Sequence, residues 1–249
     1  MGMHDQPSRG PAEARAFIQA STAVAAPPLL PEIALHLATE VTPLWQATEA
    51  WLSARGLEPP FWAFAWAGGQ AIARLLLDRP EIVRGKTVLD LASGSGLCAI
   101  AAARAGALRV AAVDRDPMAK EAIALNAAHN GVVVEAHAED LLGQSRLPPW
   151  AEGAGVVLAG DVCYDAAMTE AVLPWLRARA SEGARVLLGD PGRAYLPAEG
   201  LVEIARHRVP VIDDVESERE KWGVVYEVLA TAPPPPSPGD RHTSRGASS

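Results

Sequence analysis

The chain has 249 residues, 49% of them hydrophobic, and 30 acidic side chains against 22 Lys and Arg give it a formal charge of -8. That length and apolar content suit one substantial core. The acidic balance, with no basic stripe along the chain, excludes a scaffold that binds phosphate backbones, so nucleic acid is not an expected partner. No run of about eighteen apolar residues points to a membrane span. Only Cys98 and Cys163 are present, too few for a disulfide framework, and a reducing cytoplasm fits best.

The opening residues, MGMHDQPSRG, lack the charged-then-apolar pattern of a secretory signal, and Asp5 and Glu13 argue against an organelle transit peptide. Residues 1–26 read as a mobile arm holding one short helix near Glu13–Ala20. Ile33–Leu37 alternates like an edge strand, and Pro43–Arg55 reads as a helix stopped by Gly56. Phe61, Trp62, Phe64 and Trp66 then fall within six residues, in a chain with only 5% aromatics. They precede a helix over Gly68–Leu77 that Asp78-Arg79-Pro80 closes. The group reads equally as a lid packing this helix onto a sheet and as a ring face, Trp66 or Trp62, offered to a cation.

From Lys86 onward strands and helices alternate. The pattern predicts strands at 86–91, 108–113, 132–137, 155–160 and 184–189, with helices near 97–105, 117–129, 166–180 and 197–205. Asp116 as N-cap, Pro117 at the first helical position and Gly131 past the end bracket the second of these helices. Such alternation implies an α/β fold, a Rossmann-like parallel sheet with helices on both faces. Two strands without a helix between them, Val209–Ile212 and Gly223–Leu229, then form a terminal antiparallel hairpin. The Pro-rich segment from Ala232 opens a tail over 231–249 that cannot bury enough apolar surface to order itself. This leaves residues 27–230 as the folded domain.

Chemistry is expected outside the carboxyl ends of the strands. There Asp90-Leu91-Ala92-Ser93-Gly94-Ser95-Gly96 joins the first strand of this series to its helix, and Gly94 and Gly96 let backbone amides approach a ligand. Asp114 ends the next strand, placed to take two ribose hydroxyls. The G-x-G-x-x-A pattern of Gly94–Ala99 also suits a nicotinamide dinucleotide. Asp90 favours S-adenosylmethionine instead, because a carboxylate repels a diphosphate and welcomes an ammonium and a sulfonium. Asp140 reads both as a partner for an adenine amino group and as a helix cap. Asp161-Val162-Cys163-Tyr164 follows the fourth strand and offers a carboxylate and a phenol. Gly189–Pro197 leaves the fifth strand toward the same crevice, most simply as a turn. The acid-rich segment Asp213–Glu220 is most simply a solvated loop. The histidines lie at no metal-ligand spacing, so no metal is expected.

Taken together, FWAFAWAGGQAIARLLLD, VLDLASGSGLCAIAAARAGA, VAAVDRDPMAKEAIALNAAHNG, LAGDVCYD and GDPGRAYLP resemble the bacterial relatives of the electron transfer flavoprotein β-subunit lysine methyltransferase, over residues 29–230. That group of seven-stranded class I methyltransferases carries a D-x-x-Y tetrapeptide after the fourth strand. The resemblance implies S-adenosylmethionine as donor and lysines of the flavoprotein β subunit as acceptor. By motif position it places Asp90, Gly94, Gly96 and Asp114 at the donor, and Asp161 and Tyr164 at the methylation centre; Ala92 and Ser93 of the same loop, with Trp66 and Asp140, complete the expected donor-binding set. Ala92 departs from the family, which has its first loop glycine there. A monomer acting on a protein is expected; a nicotinamide-like small-molecule N-methyltransferase and a non-catalytic donor-binding docking module are the alternatives. Because a nearby carboxylate raises a lysine pKa, the role read for Asp161 is to hold and aim the ammonium rather than to remove its proton.

Overall fold

A computed structural model describes residues 10–39, 60–144, 146–210 and 220–230. The expected helix at 43–55, the Pro-rich tail and residues 211–219 lie outside these. The remaining chain builds one seven-stranded sheet and a separate two-stranded one.

The large sheet comprises β3 (Thr87–Leu91), β4 (Arg109–Asp114), β5 (Glu135–Ala138), β6 (Val156–Gly160), β7 (Arg185–Asp190), β8 (Leu201–Pro210) and β9 (Glu220–Val228), in the order β5-β4-β3-β6-β7-β9-β8. Five strands run parallel, and β9 pairs antiparallel with both β7 and β8. The expected Rossmann-like architecture with its reversed terminal strand is thus present. Side chains alternate across each strand. Val88, Leu158 and Leu187 enter one buried cluster with Ile72 and Leu76, whereas Leu89, Val157, Val186 and Leu188 enter another with Leu176 and Trp175. Burial on both faces explains why these strands read as continuous apolar runs.

The helices are α1 (Pro11–Ser21), α2 (Ala67–Asp78), α3 (Leu97–Arg104), α4 (Pro117–His129) and α5 (Ala166–Ser181). Asp116 accepts from the Met118 amide and Asp165 from the Met168 amide, so each caps its helix. For the site, α2 matters most. An added Cβ on Gly68 would lie 2.3 Å from the Gly189 carbonyl oxygen, and one on Gly160 would lie 3.0 Å from the Gly69 Cα. Backbone therefore meets backbone where α2 begins, and the Gly69 amide reaches Asp161 just past the end of β6.

Three expectations change. Gly10 onward is packed rather than a loose arm: Ile18 is fully buried with Ala38, Trp62, Ala63 and Ala122, and Arg15 pairs with Glu121 at 2.6 Å. The strand expected at Ile33–Leu37 is a three-residue β2 (Leu35–Leu37), paired antiparallel with β1 (Ala23–Ala25) outside the large sheet. The helix expected over 197–205 is absent: residues 197–200 form no helix, and β8 begins at Leu201 and runs to Pro210, taking in Val209 and Pro210 of the strand drawn from Val209. Its long ladder with β9 overrides a local sequence in which helix formers and alternation are mixed, and a register shift between Glu203 and Ala205 blurs the two-residue period.

Candidate active site

The carboxyl ends of the central strands each deliver a carboxylate: Asp90 from β3, Asp114 from β4, Asp161 just past β6 and Asp190 from β7. Between β3 and α3 the chain turns through left-handed conformations at Ala92 (φ 51°), Gly94 (φ 54°) and Gly96 (φ 83°). Glycine adopts these freely; alanine at position 92 does so at a cost of about 1 kcal/mol. The departure from the family pattern is therefore accommodated with the backbone turn kept.

Two of the carboxylates hold this loop in shape. Asp90 Oδ2 accepts from Ser93 Oγ at 2.5 Å and from the Ala99 amide at 3.0 Å. Asp114 accepts from the Gly94 amide at 2.9 Å and from the Asp116 amide at 3.0 Å. Burial pushes the Asp90 carboxyl up to about 7, against the pull of its Ser93 and Ala99 hydrogen bonds. Desolvation likewise raises Asp114. Gly96 starts α3 and abuts Ile123, where a Cβ would meet side-chain and backbone carbons at 3.3 Å. Asn126, which sequence reasoning passed over, is fully buried and donates to the Ser95 carbonyl at 2.8 Å. It clamps the loop from α4.

On the other side, Asp161 sits at φ 57°, a strained setting for a non-glycine residue and one that often marks a working site. It is 8% exposed. Its Oδ2 accepts the Gly69 amide at 2.8 Å, which places the carboxylate against the positive end of α2. Its Oδ1 accepts from Arg193 at 3.0 Å. Burial outweighs both partners and pushes the Asp161 carboxyl up to about 6. Tyr164 stacks on Phe61 at 5.8 Å between ring centroids, and Trp66 lies 5.6 Å from Phe64. The rings of the aromatic group differ in exposure. Trp62 is buried core, whereas Trp66 is half-buried, anchored by its indole N–H to the Phe61 carbonyl at 3.0 Å, with the Arg193 guanidinium 5.8 Å from its ring.

One cavity of about 580 Å³ joins the two sides. Trp66, Asp90, Ala92, Ser93, Gly94, Asp114, Asp140, Asp161 and Tyr164 all line it; Gly96 does not, acting through the loop backbone. Asp140 accepts the Leu142 amide at 2.9 Å, so it caps a turn while still facing the cavity. Arg193 completes the wall. Its signal in the sequence was only its place four residues past the glycine that nears the end of the fifth parallel strand. Among the described residues, no group of three His, Cys, Asp or Glu side chains could hold a metal, and no helix is long and apolar enough to cross a membrane. Cys98 and Cys163 are both free and buried.

The residues fit a cationic donor. Desolvation raises two of the three carboxylates on this side, Asp90 to about 7 and Asp114 above its ordinary range, and an arriving positive charge relieves that cost. Residues 74–160 match the family of ribosomal protein L11 methyltransferases (PrmA). The electron transfer flavoprotein beta subunit lysine methyltransferase of Xenopus laevis is 41% identical over 83% of this chain and 80% of its own. That of Homo sapiens is 37% identical over 84% and 78%. A solved ribosomal protein L11 methylase from Lactobacillus delbrueckii subsp. bulgaricus aligns with a TM-score of 0.47 at 23% identity, over 67% of this chain and 81% of the other.

Proposed function

We propose, since the chain belongs to the electron transfer flavoprotein beta subunit lysine methyltransferase family of S-adenosylmethionine-dependent enzymes, that it methylates lysine side chains of that flavoprotein subunit in the cytoplasm. The observation that carries this reading is the shared cavity, which opens the glycine loop and the Asp161–Tyr164 pair onto one space. S-adenosylmethionine, when bound, supplies a methyl carbon on a positively charged sulfur that leaves as a neutral thioether.

The chain's own residues do the rest. Asp90, Asp114 and Asp140 present acceptors to the donor's amine and hydroxyl groups, and the loop from Ala92 to Gly96 lets the backbone come close. Asp161 receives the acceptor nitrogen, since each carboxylate oxygen has a further lone pair beyond the one used by Gly69 or Arg193. Tyr164 and Phe61 form an aromatic wall beside it. Holding nitrogen and methyl carbon in line within this chamber supplies much of the rate enhancement.

The test is transfer of labelled methyl from S-adenosylmethionine to purified flavoprotein β subunit, with the modified residues identified by mass spectrometry. Lysine labelling is expected. Label appearing only on free nicotinamide or other small amines would replace this reading by small-molecule methylation, and donor binding without transfer to either would leave a docking module.

A further inference from the structure

Arg193 stands where the acceptor side of the cavity meets the end of β7. The turn that carries it is fixed by Asp190, whose Oδ1 accepts the amides of Gly192 and Arg193, both at 2.7 Å. Asp190 is fully buried, and its other oxygen has no hydrogen-bond partner among the described residues. That oxygen lies 4.0 Å from Arg193 Nε, which is buried and equally without one. A single guanidinium thus sits between two buried carboxylates, Asp161 and Asp190, with the Trp66 ring over it. A cation held by a built turn, two carboxylates and an aromatic face is resident in the site.

Among the described residues, the other groups that interact with Asp161 bring no cationic side chain: they are the Gly69 amide from α2, the Cys98 thiol from α3, Asp190 from β7 and Cys163 on its own loop. Desolvation raises both Asp161 and Asp190, and in each case Arg193 pulls the other way.

This bears on a difficulty in the chemistry. Only an uncharged amine has the lone pair to form the new N–C bond as the C–S bond breaks, and a lone carboxylate within about 4–6 Å would raise the lysine pKa by about 1–3. Resting on the lysine-methylating reading above, we propose that Arg193 is a positioning residue that cancels the charge of Asp161, so that the subsite holds the acceptor nitrogen by a hydrogen bond without trapping it as ammonium. The lysine gives its proton to water, the neutral nitrogen takes the methyl, and the C–S bonding pair stays on sulfur.

The test uses the full chain, S-adenosylmethionine and saturating flavoprotein β subunit, and reads the single-turnover rate between pH 6.5 and 10, which reports ionisations of the bound complex. In Arg193→Gln the rising limb is expected to move up by about one pH unit, with a rate about tenfold lower at pH 8 that is regained near pH 10. The acceptor KM does not rise, and S-adenosylhomocysteine binding by calorimetry stays within about twofold. Arg193→Lys restores the limb, and Arg193→Met repeats the measurement if the Gln protein does not fold. An unmoved limb in the uncharged variants, a loss independent of pH, or a limb displaced by Lys as far as by Gln overturns the assignment. Absence of any lysine transfer by the wild-type chain is a separate result, which removes the methylation reading itself.

Discussion

The raised pKa of Asp161 makes it expensive to the fold, and Asp161→Asn measures how expensive. With its carboxyl at about 6 when folded, against an ordinary 3.8, the folded state binds the Asp161 proton more tightly than the unfolded chain does. The stability that this proton supplies is therefore complete below about pH 3.8 and is lost as pH rises through about 6. By pH 7.5 the loss amounts to about 3 kcal/mol. Asparagine imitates the protonated acid: it is uncharged, similar in shape, and tolerates the left-handed backbone at φ 57°. The variant is expected to exceed wild type by about 3 kcal/mol at pH 7.5, equivalent to a midpoint some 6–12 °C higher for a chain of this size, and to match it at pH 4. Urea melts at the two pH values read the difference directly. Methyl transfer should fall by about a hundredfold or more while S-adenosylmethionine still binds, the pattern of a site residue kept at the expense of stability. An Asn protein less stable than wild type at pH 7.5, or a difference that ignores pH, would refute the argument that desolvation dominates at this residue.

Asp90→Asn should weaken S-adenosylmethionine binding about tenfold at pH 8.5 and much less at pH 6, because the wild-type carboxyl, at about 7, is itself largely protonated there; calorimetry at both pH values decides, and equal losses would count against it. By the same charge argument, the affinity ratio of S-adenosylmethionine to the neutral S-adenosylhomocysteine should rise several-fold between pH 6 and pH 8.5, and a constant ratio would contradict it. Gly68→Ala brings a methyl 2.3 Å from the Gly189 carbonyl oxygen and 2.7 Å from Asp161 Oδ2, so α2 must withdraw by about 1 Å. Overpacking should cost about 1–3 kcal/mol in thermal melts, with transfer reduced as the Gly69–Asp161 hydrogen bond breaks; wild-type stability and turnover would show that the close approach is not needed.

What the sequence disclosed of this protein follows from which forces are local. The strands β3, β4, β6 and β7 were legible because burial on both faces writes itself as unbroken apolar runs, and α4 because Asp116, Pro117 and Gly131 mark its ends. β8 was misread because its state is decided by β9, a partner whose register no local window contains. The glycine loop was legible because it is a contiguous motif. The surroundings of Asp161 were only half visible: Asp161 and Tyr164 stand in one tetrapeptide, but the amide that holds Asp161 comes from Gly69 and its counter-charge from Arg193, 92 and 32 residues away in sequence. Such partners are fixed by the backbone contact of Gly68 with Gly189, which carries no sequence signature beyond two glycines.

The charges lining the cavity give the site a direction. Six acids, Asp90, Asp114, Asp116, Glu139, Asp140 and Asp161, face two arginines, Arg115 and Arg193. A wall of this composition attracts a positively charged donor, and its low-dielectric setting strengthens that attraction over what water would allow. Methyl transfer turns the sulfonium into a neutral thioether, so the attraction that gathers the donor vanishes with the reaction. The arginine beside Asp161 breaks the pattern where a second cation would be harmful, since an acceptor held as ammonium does not react. Carboxylates around the glycine loop and an arginine that offsets Asp161 across from it suit a cavity that binds one cation and receives one neutral amine.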